Sequence, residues 1–314
     1  MRKKEKHLVS SNPFKTMIQL NKISFIGLLC AISVLLFSCD EATVSSNTDI
    51  KSVELDSTKT NLVNIAGKLF SIPSPIQTAI LIKKSGAAYN REALNNPVNS
   101  SNYSTKNLRA LNLGVFGTDM AYASLYDDNQ QSLRHFKAIE NLADELAIKG
   151  ALSPSLFKRL GSNVGNADSL LLLSGKFYES ADQYLKENER YDLASLILAG
   201  GWVEATYLTA LAANSGSSDA RKRLAEQQKS IGTLCELLRS TGDDSIKSGS
   251  TLMQLDSLNG IYREVKSAYT YRKPETNAER KITVITSESS FDLTDEQLAE
   301  ITARINRIRA SITQ

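Results

Sequence analysis

Histidine and cysteine are almost missing from this chain, with two His and three Cys among 314 residues. Only Cys39, His135 and Cys235 lie beyond position 38. A di-iron bundle needs two Glu-x-x-His motifs, a zincin needs His-Glu-x-x-His, and structural zinc needs several Cys or His. None of these patterns occurs. Asp127-Asp128 and Asp243-Asp244 lack the alternating ligands of an EF-hand loop, so no metal or other cofactor is expected. There is no Gly-x-Ser-x-Gly elbow. Cys235 follows Leu234 in a helical pattern, with only His135 as a candidate base, and reads as a small buried hydrophobe. Gly67-Lys68-Leu69 and Gly175-Lys176-Phe177 lack the glycine spacing and hydroxyl of a phosphate loop. Excess charge of one sign is absent as well. The formal +3 comes from residues 1–38, which hold six of the 37 basic side chains and one of the 34 acidic ones. The rest carries 31 against 33, a net of −2, and the case for nucleic acid as a partner fails.

Residues 23–38, ISFIGLLCAISVLLFS, run sixteen positions without a charge behind Lys15 and Lys22. A basic stretch followed by a short apolar one reads as a secretion signal, shorter than the roughly 18–20 residues that span a bilayer comfortably. Met17 would give a leader of more usual length. The next residues, Leu36-Phe37-Ser38-Cys39, resemble a bacterial lipobox. That resemblance implies cleavage before Cys39, a diacylglycerol on its thiol and a fatty acid such as palmitate on the new amine. Two or three acyl chains hold a protein stably to its membrane. Asp40 and Glu41 resemble the surface-export signals of Bacteroidota lipoproteins, while Asp at this place in enterobacterial lipoproteins resembles an inner-membrane retention signal. An outer-membrane lipoprotein is the expectation, with its face of the membrane left open. Lipid on Cys39 would leave Cys235 alone, so no intramolecular disulfide is expected.

Residues 39–60 are polar and without an aromatic, as a flexible tether would be. Residues 61–269 carry the signals of an all-α fold, an irregular antiparallel helical bundle of about seven to nine helices. Ser74-Pro75-Ile76-Gln77 reads as a capping box opening a helix that ends at Lys83, Lys84 and Gly86. Leu108, Leu111, Val115, Tyr122 and Leu125 mark one amphipathic helix over 105–126; Leu133, Phe136, Ile139, Ala143 and Leu146 mark another over 130–148. Ser153-Pro154 opens a short helix, and Asp168 caps one running to 188. Residues 192–213 are apolar on nearly every face and predict the central helix, with Glu204 and threonines arguing against a membrane span. Helices are further expected over 218–239 and 250–269. Pro274 breaks the pattern, and 281–286 reads as one short strand without a partner. Thr294 and Gln297 form a capping box, after which Leu298, Ile301, Ile305, Ile308 and Ile312 make a short heptad seam. It is expected to dock on the bundle, so that 270–314 form a strand-and-helix appendage.

Ile72-Pro73-Ser74-Pro75 with Ile80-Leu81-Ile82-Lys83, Ala110-Leu111-Asn112-Leu113-Gly114-Val115-Phe116-Gly117-Thr118-Asp119, and Gly200-Gly201-Trp202-Val203-Glu204 resemble segments of helical lipoproteins of Bacteroidota. The resemblance implies fold and location, and no activity. Candidate site residues follow from composition. Glu204 is the only acid inside an otherwise apolar stretch, and Asp119 closes a Gly-x-x-Gly stretch. Burial would raise either pKa and could make a general acid, although a buried structural acid is the simpler expectation. Tyr122, Trp202 and Tyr207 could line a ligand groove, or belong to the core. The expectation is therefore a non-catalytic binding or scaffolding module with an envelope protein as partner. An acid-pair enzyme and a purely structural envelope protein are the alternatives.

Overall fold

Hydroxyl side chains cap three helices in the structure, a computed structural model. It describes residues 60–65, 68–73, 75–148, 188–277, 282–284 and 286–314, with isolated positions between 155 and 187. Thr105 accepts from the Leu108 N–H to open the long helix over Lys106–Leu125, and Ser217 and Thr294 do the same for Ala220 and Gln297. Thr294 and Gln297 complete the reciprocal capping box.

 In chain order the helices are α1 (Pro75–Lys84), the short 3-10 turns α1a (Arg91–Ala93) and α1b (Pro97–Asn102), α2 (Lys106–Leu125), α3 (Asn129–Glu145), α4 (Tyr191–Asn214), α5 (Ser218–Glu226), α6 (Gln228–Ser240), α7 (Asp244–Lys247), α8 (Ser250–Arg263) and α9 (Asp295–Thr313). The described positions from 169 to 187 are helical too. The protein is an all-α bundle with a small strand-and-helix appendage at its C-terminal end. The leader, Cys39, the tether to 59, the Ser74 and Asp168 caps and the start at Ser153-Pro154 lie outside the described residues.

α2 and α4 form the axis of the bundle, and glycine is the reason they can. A methyl group on Gly114 would run into the Ile197 carbonyl oxygen, and one on Gly200 into the Leu111 carbonyl oxygen. The two backbones therefore meet directly, and Thr118 Oγ1 reaches across to the Gly201 carbonyl oxygen at 3.3 Å. Around this crossing α3 packs on α2, while α1, α5 and α9 pack on α4. The Lys83 ammonium of α1 donates to the Leu125 carbonyl oxygen, closing the end of α2.

Several expectations need correction. α2 is not amphipathic: every residue from Ala110 to Leu125 is buried. Its second face is made of Gly, Ala, Ser and Thr, small enough to pack without looking apolar. Leu133 points outward, 37% exposed, while Phe136, Ile139, Ala143 and Leu146 are buried. The single helix over 218–239 is two, because the Gln227 N–H bonds to the Leu224 carbonyl three residues back and tightens the turn. The helix over 250–269 stops at Arg263. Gln228 Nε2 takes the Tyr262 and Val265 carbonyls at 2.8 and 2.6 Å, and Gln297 Nε2 takes that of Glu264 at 3.1 Å. Side-chain amides thus satisfy carbonyls that another helical turn would have used.

The bundle segment also opens with strands: β1 (Thr60–Ile65) and β2 (Lys68–Pro73) pair antiparallel, Thr60 opposite Pro73, and β2 lies against α6. Nor is the C-terminal strand alone. β3 (Lys266–Thr270) pairs with β6 (Glu288–Asp292), and β4 (Glu275–Asn277) with β5 (Ile282–Val284), both antiparallel. The partner of the expected strand is the polar Glu275-Thr276-Asn277, which carries no alternation to betray it. The α9 seam docks as expected, with Leu298, Ile301, Ile305, Ile308 and Ile312 buried against α4 and α8.

Candidate functional site

Asp119 and Glu204 stand on the two crossing helices, and the crossing brings them together. Both are fully buried, and each lies close enough to weigh on the other's ionisation. Two buried carboxylates side by side resist ionising together, which favours a proton on the pair. Asp119 Oδ1 meets no donor; its Oδ2 accepts from the Asn95 N–H at 2.9 Å. Burial pushes the Asp119 pKa up to about 7 against the pull of Arg309. Glu204 is pushed well above the usual carboxylate range by burial and by the neighbouring Asp119 charge.

The residue that completes the group is Arg309, from α9. Its Nε meets Glu204 Oε1 and Oε2 at 3.0 and 2.7 Å, and its Nη2 donates to the Ala93 carbonyl oxygen at 2.7 Å. The guanidinium lies 4.2 Å from the centre of the half-buried Tyr207 ring. Burial opposes its charge, but Glu204 and Asp119 overcome that and hold the pKa above its ordinary value.

His135, also fully buried, stands on the other side of Asp119, with Nε2 3.6 Å from Oδ2. Its two ring nitrogens face backbone carbonyls, Nδ1 that of Gln131 at 2.8 Å and Nε2 that of Asn95 at 3.0 Å. A neutral imidazole has one N–H for these two acceptors. Burial lowers the His135 pKa, opposed by the two carbonyls. Asn95 ties the group together: its side-chain amide donates to Tyr103 OH at 2.9 Å and to Asn112 Oδ1 at 3.1 Å. Asn112 Nδ2 in turn takes the Ile312 carbonyl at 2.5 Å, near the end of α9.

The remaining candidates are placed apart from this group or at its edge. Tyr122 is 3% exposed and accepts from the Asn90 N–H at 3.1 Å. Trp202 is 2% exposed and donates to Ser230 Oγ at 3.0 Å. Tyr207 serves as the platform for Arg309. None of the three, nor Asp119 or Glu204, lines either of two described surface cavities, one beside α3 and one between α8 and α9. Cys235 is buried, and burial together with Asp256 pushes its thiol up to about 12, leaving it protonated and inert. Cys39 lies outside the described residues.

Sequence reasoning missed Arg309, Asn95 and Asn112, and weighed His135 only as a metal ligand or base. Arg309 sits among Arg304 and Arg307 on the polar side of a heptad helix, where nothing local sets it apart. Asn112 offered a faint signal, as a polar residue inside a helix whose neighbours are apolar. No group of three or more His, Cys, Asp or Glu placed to hold a metal ion occurs among the described residues. No family model, curated protein or solved structure matches the chain.

Proposed function

We propose that this chain is a lipid-anchored lipoprotein of the bacterial cell envelope, held at the outer membrane, whose helical body works by binding or scaffolding rather than by turnover. The observation that carries the reading is Leu36-Phe37-Ser38-Cys39 directly after an uncharged run behind two lysines. A general acid must come within hydrogen-bond reach of its substrate. Asp119 and Glu204 are fully buried beneath Arg309, which supports a structural role for the pair. A concavity beside α3, bordered by Arg91 and Arg134, favours binding over a purely structural part.

Metabolic labelling with a fatty-acid probe tests the anchor. The wild type should take label and Cys39→Ser should lose it, together with the acyl mass. Equal labelling of both forms would overturn the reading.

A further inference from the structure

Three of the four side chains in the Asp119–Glu204–Arg309–His135 cluster bond to the backbone of one short segment. Arg309 holds the Ala93 carbonyl, Asp119 the Asn95 N–H and His135 the Asn95 carbonyl. Asn90 and Asn96 fix the same segment from its two ends, accepting from the Ala93 and Val98 N–H groups. Burying charge is costly unless every charge is paired, and here the pairing partners fix a surface loop as well as each other. That is how a binding wall is made rigid: the residues behind it are locked by packing and hydrogen bonds.

The segment forms one side of a cleft of about 430 Å³, and α3 forms the other. This volume lies in the range of small-ligand sites. Arg91, Asn96, Gln131 and Arg134 stand around it, with Asn95 and His135 at its base. Arg91 is positioned by Asp128 at 3.4 Å, and by Gln131 when that amide turns its oxygen to Arg91 Nε at 2.9 Å. Arg134 is exposed and has no ion-pair partner among the described residues. The opposing charge in the lining is Glu92. Two guanidinium forks against one carboxylate, beside the amides of Asn95, Asn96 and Gln131, suit a planar or tetrahedral anion held by paired N–H donors.

We infer that this cleft is the ligand site of the body and that it takes an anionic group, a carboxylate or a phosphate, between Arg91 and Arg134. The inference rests on the binding-module reading above and names its ligand class. Asp119, Glu204 and Arg309 are positioning residues behind the wall and do not touch the ligand, while His135 closes its base.

The test uses the full chain in non-ionic detergent, titrated with inorganic phosphate or with succinate at ionic strength held constant by chloride. Melting temperature should rise saturably with at least one probe. A response to phosphate alone assigns a phosphate ester, and one to succinate alone assigns a carboxylate. Arg134→Gln, an exposed change, should melt as the wild type without probe and need at least about tenfold more probe for the same rise. The inference is overturned if neither probe acts beyond chloride, or if Arg134→Gln responds as the wild type does. Neither result touches fatty-acid labelling at Cys39, so the site and the anchored-module reading fail separately.

Discussion

The α2–α4 crossing and the ribbons of residues 266–292 show what burial does to the same kinds of groups. At the crossing, backbones touch through Gly114 and Gly200, and carboxylate, guanidinium and imidazole groups sit out of water with a partner on nearly every atom. In the ribbons the described positions of β3, β4 and β5 are exposed, and Tyr269, Tyr271, Ile282 and Val284 are 47–68% accessible. Polar groups stand where apolar ones are expected, and apolar groups where polar ones are. In the interior the arrangement holds because each charge has a fixed counterpart drawn from a distant part of the chain. The ribbons rest on adjacent strands, with contacts such as Thr276 Oγ1 to Thr283 Oγ1 at 3.1 Å. A substitution should therefore be felt strongly in the first region and weakly in the second.

The sharpest way to break this contrast is Arg309→Ala, which strands the buried acids. It should cost about 3–5 kcal/mol, read by thermal or urea unfolding. An effect below about 1 kcal/mol would mean that water reaches the pair. Gly200→Ala comes next, at about 1–3 kcal/mol, because its methyl group must push α2 away from α4.

Titration sharpens the comparison further. Asp119 in the folded protein keeps its proton to about pH 7, whereas in the unfolded chain it releases it near 3.8. Between those values the folded state binds more protons, so this contribution is whole below pH 3.8 and is lost as pH rises through 7. One proton corresponds to a slope of about 1.4 kcal/mol per pH unit. His135, with its lowered pKa, works in the opposite sense below about 6.5 and blunts the slope at the acid end. Asp119→Asn should flatten the fall in melting temperature between pH 5 and 7. The smallest effect belongs to the ribbons: Tyr269→Ser or Val284→Thr should stay within about 0.5 kcal/mol of the wild type. A larger loss would place a hidden packing partner on that surface.

Much of the bundle was legible because periodicity reports burial directly. α4 was found from its unbroken apolar run, α9 from its capping box and seam, and the end of α1 from Lys83, Lys84 and Gly86, which has φ +74°. Hidden from that method were elements defined by what lies opposite them. The second face of α2 is lined with small residues whose burial depends on α4 arriving. β4 is a strand only because Ile282–Val284 lies beside it. The acid pair was visible as two odd residues, Asp119 and Glu204, yet their meeting was not. Contact between them depends on the glycine crossing, and on a guanidinium whose local surroundings look like any solvent-facing helix surface.

Arg309 acts as a late-closing latch. It fastens to Glu204 105 residues upstream and to Ala93 216 residues upstream. In a chain emerging N-terminus first, α2 and α4 are present well before their counterion. Until α9 follows, the two acids have no cation to offset their burial, and the axis of the bundle stays easy to pull apart. The last helix to be made is thus the one that brings the counterion to the crossing of α2 and α4.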